Sequence, residues 1–330
     1  MIKNALTELL GIEHPIILAP MGSCTSAAFC AAVSNAGGMG SIGTLNRTTR
    51  DVLRDLDEIR TLTTRPFAVN HIPQSLDREA FDATLRLKPR VISFALGDPG
   101  ELTGPVHDAG SLVMVQVTTV AQAEQAVEHG ADIIVAQGGE AGGYGGVVST
   151  LVLVPQIVDA VAPVPVVAAG GIFDGRGLAA ALVLGAVGVN LGTRFLASKE
   201  APIEEGWRQA VLSARSEDAI KADALNYVNP MPGTVGYGTV LRSIRTPFLE
   251  RWNENREEAV QESARLSAQM RAAREAGRRH EFLATAGQSA GAIRDVLPVA
   301  EIIRRTVRSA EALLPKTRKR KTSGARTTAG

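Results

Sequence analysis

Residues 164–195 read Val-Pro-Val-Val-Ala-Ala-Gly-Gly-Ile-Phe-Asp-Gly-Arg-Gly-Leu-Ala-Ala-Ala-Leu-Val-Leu-Gly-Ala-Val-Gly-Val-Asn-Leu-Gly-Thr-Arg-Phe. An apolar run, Val164 to Ala168, ends in Gly170-Gly171, and a helical pattern follows from Leu178 to Leu184. Gly185 then stops that helix, and a second apolar run, Ala186 to Asn190, ends in Gly192-Thr193. This is a strand, helix, strand unit with glycines just past both strands. Working back along the chain, six more short apolar runs appear: 16–19, 39–42, 67–70, 91–94, 112–115 and 133–136. Continuous apolar runs, rather than alternating ones, mark parallel strands covered on both faces. Eight such strands interleaved with helices predict an α/β fold, a (β/α)8 TIM barrel, over an open doubly wound sheet.

The intervening helices are read at Ser26 to Asn35, Thr49 to Thr61, Asp77 to Leu87 and Thr119 to His129, besides Leu178 to Leu184. Thr48 with Asp51 has the look of a capping box, and Gly37, Gly110, Gly130 and Gly185 stand where helix-ending glycines belong. After residue 200 the texture changes. Pro202 to Ala214 reads as helix, 226–240 is rich in Gly, Pro and Tyr, and Thr246 to Glu281 is a long charged helical stretch too polar to be core all round. Pro298 to Leu314 is amphipathic and is taken as the helix that closes the barrel. The expected divisions are a barrel core at 1–200, a mainly helical insertion or cap at 201–285, the closing helix at 286–315, and a basic tail at 316–330 without fixed structure.

Composition bounds the function classes. Of 330 residues, 45% are hydrophobic and 21% charged, which suits a globular protein with a large core. The net charge of +1 hides six basic side chains and no acid in the last 15 residues; the remainder holds 29 basic against 34 acidic groups. An acidic body with 4% aromatics offers no nucleic-acid platform. No apolar stretch reaches membrane-spanning length, and the first residues lack the apolar region of a signal peptide. Cys24 and Cys30 are not spaced as a C-x-x-C pair and are too few for a metal cluster, so they read as reduced thiols of a cytoplasmic protein, with no metal expected.

Glycine is in excess, 33 of 330. Gly38-Met39-Gly40-Ser41-Ile42-Gly43 matches G-x-G-x-x-G, but a helix precedes it and the strand runs through it, the wrong order for a dinucleotide site. Gly170-Gly171 and Gly192-Thr193 lie after the seventh and eighth strands, where such barrels bind phosphate on bare backbone N–H groups. Residues 137–146, Gln-Gly-Gly-Glu-Ala-Gly-Gly-Tyr-Gly-Gly, hold six glycines after the sixth strand, a density that suits a loop laid against a flat cofactor.

The chain resembles the nitronate monooxygenases, FMN-dependent (β/α)8 barrels whose relatives include flavin-dependent enoyl reductases. The likeness covers roughly residues 12–200, with a weaker echo at 286–291 and in the final helix. It rests on 169–178 (Ala-Gly-Gly-Ile-Phe-Asp-Gly-Arg-Gly-Leu), on Leu191-Gly192-Thr193-Arg194-Phe195 and on Glu140-Ala141-Gly142-Gly143. The resemblance implies FMN as cofactor. Ala19, Pro20, Met21 and Gly22 would lie beside the flavin ring. Asn70 and Gln116 would bond to flavin atoms, and Gln137, Gly142 and Gly143 would follow the ring. Gly170, Gly171, Gly192 and Thr193 would hold the phosphate.

Two departures from the family pattern stand out. Tyr144 occupies the place of a catalytic histidine that removes the α-proton of a nitroalkane, and Gln116 stands where relatives often have lysine. A phenol is a poor base at neutral pH but a good donor. His71, next to Asn70, is the one histidine expected at the catalytic face; His14, His107, His129 and His280 read as structural. Arg194, Arg242 and Arg245 are candidates to meet an anionic substrate, though surface pairing is the plainer reading, and Tyr237 is a candidate cover for the pocket. The resemblance implies oxidation of a nitronate with dioxygen. The alternative is an NAD(P)H-linked reductase or dehydrogenase of an enone or acyl-CoA, and a barrel that binds flavin without catalysis is a third reading. Assembly into a homo-oligomer is left open.

Overall fold

The computed structural model describes residues 2–228, 230 and 237–315. The barrel strands are β1 (Ile16–Leu18), β2 (Gly40–Gly43), β3 (Phe67–His71), β4 (Val91–Phe94), β5 (Leu112–Val117) and β6 (Ile133–Gln137). A short β7 (Gly143–Gly145) belongs elsewhere, and β8 (Val166–Ala169) and β9 (Gly188–Leu191) are the seventh and eighth barrel strands. All eight runs singled out in the sequence are strands. They pair in parallel in the order β1-β9-β8-β6-β5-β4-β3-β2. Ile17 bridges Met39 across the remaining seam, with Leu18 N–H donating to Met39 O and Met39 N–H to Ile16 O, both at 2.9 Å.

Helices α1 (Ala5–Leu10), α2 (Ala27–Asn35), α3 (Thr49–Leu62), α4 (Arg78–Leu87), α5 (Thr103–Asp108), α6 (Val120–Glu128), α7 (Thr150–Val161) and α8 (Gly175–Val183) accompany the strands, followed by the one-turn α9 (Thr193–Leu196). Thr48 caps α3 by accepting from Asp51 N–H at 3.2 Å, and the four predicted helix-ending glycines all take a left-handed backbone. Four of these helices, α1, α5, α7 and α9, lie outside the helical patterns named from the sequence. In α7, β-branched residues and an internal Pro155 obscure the helical period. In α1, Leu6 and Leu10 join Ile17, Met39 and Val91 in the barrel interior, so this helix plugs the floor.

Along each strand, side chains alternate between the barrel interior and the helical shell. Ile92, Phe94, Val113, Val115, Ile134 and Ala136 face the shell with Phe81 and Ile157. Ala68, Val91, Met114, Val135 and Val167 fill the lower interior. The glycines of the 38–43 motif serve close packing: a Cβ on Gly40 would meet Cys30 O at 2.0 Å and one on Gly43 would meet Gly22 N at 2.5 Å.

Beyond β9 the chain forms α10 (Glu205–Ser213), α11 (Leu225–Val228), α12 (Pro247–Glu254), α13 (Arg256–Gln261) and α14 (Ser263–Glu275). The charged helical stretch expected at 246–281 forms three helices, broken at Asn255 and Glu262. Between them run β10 (Ala219–Lys221), β11 (Val240–Ile244) and β12 (Ala284–Thr285), an antiparallel sheet that the sequence reading did not foresee. Its fourth member is β7: Gly143, Tyr144 and Gly145 lie opposite Arg242, Leu241 and Val240. The barrel's glycine loop and the insertion thus share a sheet. Finally α15 (Val299–Leu313) packs its apolar face on α8 and α2. The basic tail, 316–330, lies outside the described residues.

Candidate active site

The upper end of the barrel interior changes chemistry. The last inward residues of four strands are carboxamides: Asn70 on β3, Gln116 on β5, Gln137 on β6 and Asn190 on β9. Asn70 Nδ2 donates to Ser93 O and Oγ, each at 3.2 Å, and Gln116 Nε2 donates to Gln137 Oε1 at 3.1 Å. Asn190 Oδ1 is buried and meets no donor among the described residues. Such an acceptor calls for a partner from outside the protein.

Above this layer opens a cavity of about 190 Å³, continuous with solvent. It gathers all thirteen residues expected to contact a cofactor: Ala19, Pro20, Met21, Gly22, Asn70, Gln116, Gln137, Gly142, Gly143, Gly170, Gly171, Gly192 and Thr193. Ala286, Gly287 and Ser289, from the segment before α15, complete the wall. At one end of it, no acceptor among the described residues meets the backbone N–H groups of Gly170, Gly171, Gly192 or Thr193. Thr193 Oγ1 accepts from Gly287 N–H at 2.9 Å, which leaves its own proton to donate. Gly170 is held at φ +103, and a Cβ there would meet Thr150 Oγ1 at 2.9 Å. Gly192 differs: its φ of −104 suits any residue, and a Cβ would meet only Ala19 and Met21 at 3.6 Å. Internal packing does not require glycine at 192.

The glycine loop is pinned despite its composition. Glu140 accepts from Thr150 N–H and Oγ1 at 2.9 Å, Thr150 Oγ1 also lies 3.0 Å from Gly170 O, and Arg242 donates to Gly139 O at 2.7 and 3.1 Å. Lys221 Nζ donates to Gly145 O at 2.8 Å and Val240 O at 3.0 Å. Tyr144 lines the cavity and packs against the cluster of Ile72, Ala95 and Leu96 and that of Leu241. Burial pushes its phenol up to about 12, against a small opposing pull from Arg279. It remains protonated, a donor and not a base, at neutral pH. Leu96 itself sits at φ +58, a strained backbone for a bulky residue, beside the cavity.

His71 is not brought to the site. Adjacent strand residues face opposite ways, so with Asn70 inward, His71 points into the helical shell. Its Nε2 lies 3.0 Å from Thr84 Oγ1 and its ring meets Phe81 edge-on, with centroids 5.3 Å apart. Burial pushes the imidazole down to about 4. The expectation that it serves as an acid/base group is corrected accordingly. Of the other histidines, His107, His129 and His280 pair with Asp132, Asp98 and Glu204, and none of the five lines the cavity. Arg194 pairs with Asp295, Arg245 with Glu250, and Arg242 holds loop carbonyls, so none of the three is free for substrate. Tyr237 is on the rim near Gln122 and Asp98 rather than in the cavity; the preceding 231–236 lie outside the described residues.

One charged group of the cavity escaped the sequence reading. Arg279 lies over the indole of Trp207, its guanidinium carbon 4.8 Å from the ring centroid, and both residues line the cavity. Trp207 is fixed by its Nε1–H donating to Thr285 O at 3.2 Å. Among the described residues, the titratable side chains that line the cavity are Cys24, Tyr144 and Arg279. Burial raises the Cys24 thiol, so none of the three is a base at neutral pH.

Compared with known proteins, residues 3–81 and 74–309 match the family model described as Nitronate monooxygenase. The chain belongs to the nitronate monooxygenase family. A probable nitronate monooxygenase of Staphylococcus aureus (strain JH9) is 32% identical over 299 residues, covering 76% of this chain and 81% of that one. A (3aS,4S,5R,7aS)-5-hydroxy-7a-methyl-1-oxo-octahydro-1H-indene-4-carboxyl-CoA dehydrogenase of Rhodococcus jostii (strain RHA1) is 38% identical over 218 residues. That match covers 66% of this chain but only 62% of the dehydrogenase's length. Among solved structures, FabK from Thermotoga maritima superposes with a TM-score of 0.86 at 33% identity, covering 95% of this chain and 97% of that one. The nitronate monooxygenase family is one of flavoprotein oxidoreductases, and this chain has a (β/α)8 barrel. No helix among the described residues is long and apolar enough to cross a membrane.

Proposed function

We propose that the protein is an FMN-dependent oxidoreductase that oxidises alkyl nitronates, or a related small organic anion, with dioxygen in the cytoplasm. The observation that carries this reading is the absence of any base among the described residues of the cavity wall. With Tyr144 in the histidine's place and its phenol at about 12, the described residues of the wall offer no group to remove an α-proton from a neutral nitroalkane. A nitronate is already deprotonated. It needs no base, only a donor to hold its oxygens, and Tyr144 O–H supplies one.

The residues present fit FMN. The bare amides of Gly170, Gly171, Gly192 and Thr193, with the Thr193 hydroxyl, suit a phosphate dianion. Asn70, Gln116, Gln137 and the unpartnered Asn190 Oδ1 offer the donors and acceptors of a ring edge and ribityl chain. Ala19, Pro20, Met21 and Gly22 would border the ring, with the pinned loop at Gly142 and Gly143. Once bound, the flavin would take electrons from the substrate and pass them to dioxygen. The chain's own groups would orient the two.

The second reading, an NAD(P)H-linked enoyl or acyl-CoA reductase or dehydrogenase, is favoured by the 38% identity to a CoA-ester dehydrogenase. Oxidation of an alcohol would need a base, which the described wall lacks. Anaerobic mixing of the flavin-loaded protein with propionate 3-nitronate, NADH and NADPH separates the two. The proposal expects the nitronate to bleach the flavin within the turnover time and the pyridine nucleotides to leave it yellow. Rapid bleaching by NADH or NADPH alone overturns it in favour of the reductase.

A further inference from the structure

We infer that Arg279 is the anion anchor of the substrate site, its guanidinium receiving the paired oxygens of a nitronate or carboxylate while Leu45, Ile72, Ala95 and Leu96 take the substrate's alkyl part. The assignment rests on the reading that the substrate is a small organic anion.

Other interior arginines have evident work. Arg47 pairs with Asp55 and Arg194 with Asp295, each at 2.8 Å. Among the described residues no carboxylate lies within 4 Å of the Arg279 guanidinium, and no hydrogen-bond acceptor engages it. Glu204 is near, but its oxygens are taken: they accept from Arg279 N–H at 3.3 Å, from His280 N–H at 3.4 Å, and meet His280 Nδ1 at 2.9 Å. Those bonds fix the backbone of Arg279 and leave its side chain unspent. Burial draws the pKa of this guanidinium downward, yet an arginine keeps its charge under all ordinary conditions. Arg279 is half-buried beside a second cation, Arg274, and its nearest carboxylate, Glu204, is shared with His280, so an anionic ligand would add the balancing charge.

The side chain is also prepared for that ligand. Stacking on Trp207, itself held by Thr285 O, fixes the plane of the guanidinium and leaves its edge donors available. A planar fork of donors matches a planar pair of oxygens, which carboxylate and nitronate share. With no carboxylate among the cavity's described residues, nothing there repels an anion. Leu45, Ile72, Ala95 and Leu96 form a separate apolar part of the lining, with Tyr144 packed against it. The site so described selects an anion carrying a short alkyl chain.

The test uses the flavin-loaded protein with hexanoate and hexanamide as probes, read by calorimetry and by the shift each causes in flavin absorbance. Hexanoate should bind the wild type more tightly than hexanamide does. Arg279→Gln should weaken hexanoate about 10- to 100-fold and leave hexanamide unchanged. Equal hexanoate affinity in variant and wild type, or equal loss of both probes, overturns the assignment. Should Arg279→Gln fail to retain flavin, Arg279→Lys carries the test: an intermediate affinity supports the paired contact, and wild-type affinity overturns it. Hexanoate capture through Arg279 without any nitronate oxidation refutes the proposed reaction and leaves the anchor standing. Nitronate turnover with unchanged KM in Arg279→Gln does the reverse.

Discussion

Tyr144 stands opposite Leu241 in the antiparallel pair of β7 and β11, so a residue of the barrel's sixth loop is held in place by the insertion. Gly143 and Gly145 on either side are tied to the same strand, and Lys221 bridges the two carbonyl rows. A loop with six glycines in ten residues is entropically costly to order by itself. The ladder and its side-chain bonds offset that cost.

Replacing Tyr144 by Phe removes the donor and leaves the ring. We expect kcat/KM for a nitronate to fall about 10-fold, the value of one hydrogen bond to a charged acceptor. With the phenol at about 12, the wild-type rate should show no tyrosine limb between about pH 6 and 10. Tyr144→His should gain turnover of neutral nitroethane. Nitroethane turnover by the wild type that survives Tyr144→Phe would contradict the division of labour.

The phosphate reading is tested at Gly192. Its backbone accepts alanine and the added methyl meets only ordinary contacts, so Gly192→Ala should melt like the wild type as apoprotein. FMN should bind about 10-fold more weakly or worse, because a Cβ would stand between the amides and the phosphate oxygens. Riboflavin, which has no phosphate, should bind both proteins alike. An unchanged FMN affinity would remove Gly192 from the cradle.

Lys221→Met deletes the two bonds that join β7 to β11 from one side. A loss of about 1–3 kcal/mol in stability is expected. Nitronate KM should rise through a loosened Tyr144 loop, while FMN affinity stays near the wild-type value. Titration of flavin fluorescence beside steady-state kinetics separates the two effects, and a joint loss would mean that the loop carries cofactor as well.

His71 provides the pH dependence. Its folded value of about 4 lies below the ordinary 6.5, so between those values the unfolded chain binds a proton that the fold refuses. Stability therefore rises with pH across 4 to 6.5, and this contribution is lost as pH falls through the window, at ~1.4 kcal/mol per pH unit for one proton. Urea unfolding at several pH values should show that slope in the wild type and a shallower one in His71→Gln. Flavin content and KM should not move, since the ring lies outside the cavity.

The barrel was legible because its strands are continuous apolar runs, each ended by its own turn. The wall of the cavity was legible because glycines and carboxamides interrupt those runs at their ends. Asn190 carried the same signal as Asn70, a polar residue closing an apolar strand, and was passed over. Arg279 gave none: in Arg278-Arg279-His280-Glu281 it reads as one more solvated charge, and only stacking on Trp207 from a distant helix sets it apart. The second sheet was hidden because Gly143-Tyr144-Gly145 has no strand pattern of its own and is extended only by pairing with β11. His71 misled because proximity along a strand is not proximity in space.

The last helix has a consequence for how the molecule is made. α15 packs on α8 and α2, which follow β8 and β1, so it covers the pair of β9 with β1, where the last barrel strand meets the first. During synthesis the eight strands leave the ribosome long before Val299 does. Until α15 arrives, the parts of α8 and α2 that it covers stay open to water, and residues 201–298 must be translated in the meantime. Completion of this barrel's shell therefore waits on α15, and a nascent chain arrested before residue 299 is the species on which chaperones should be found.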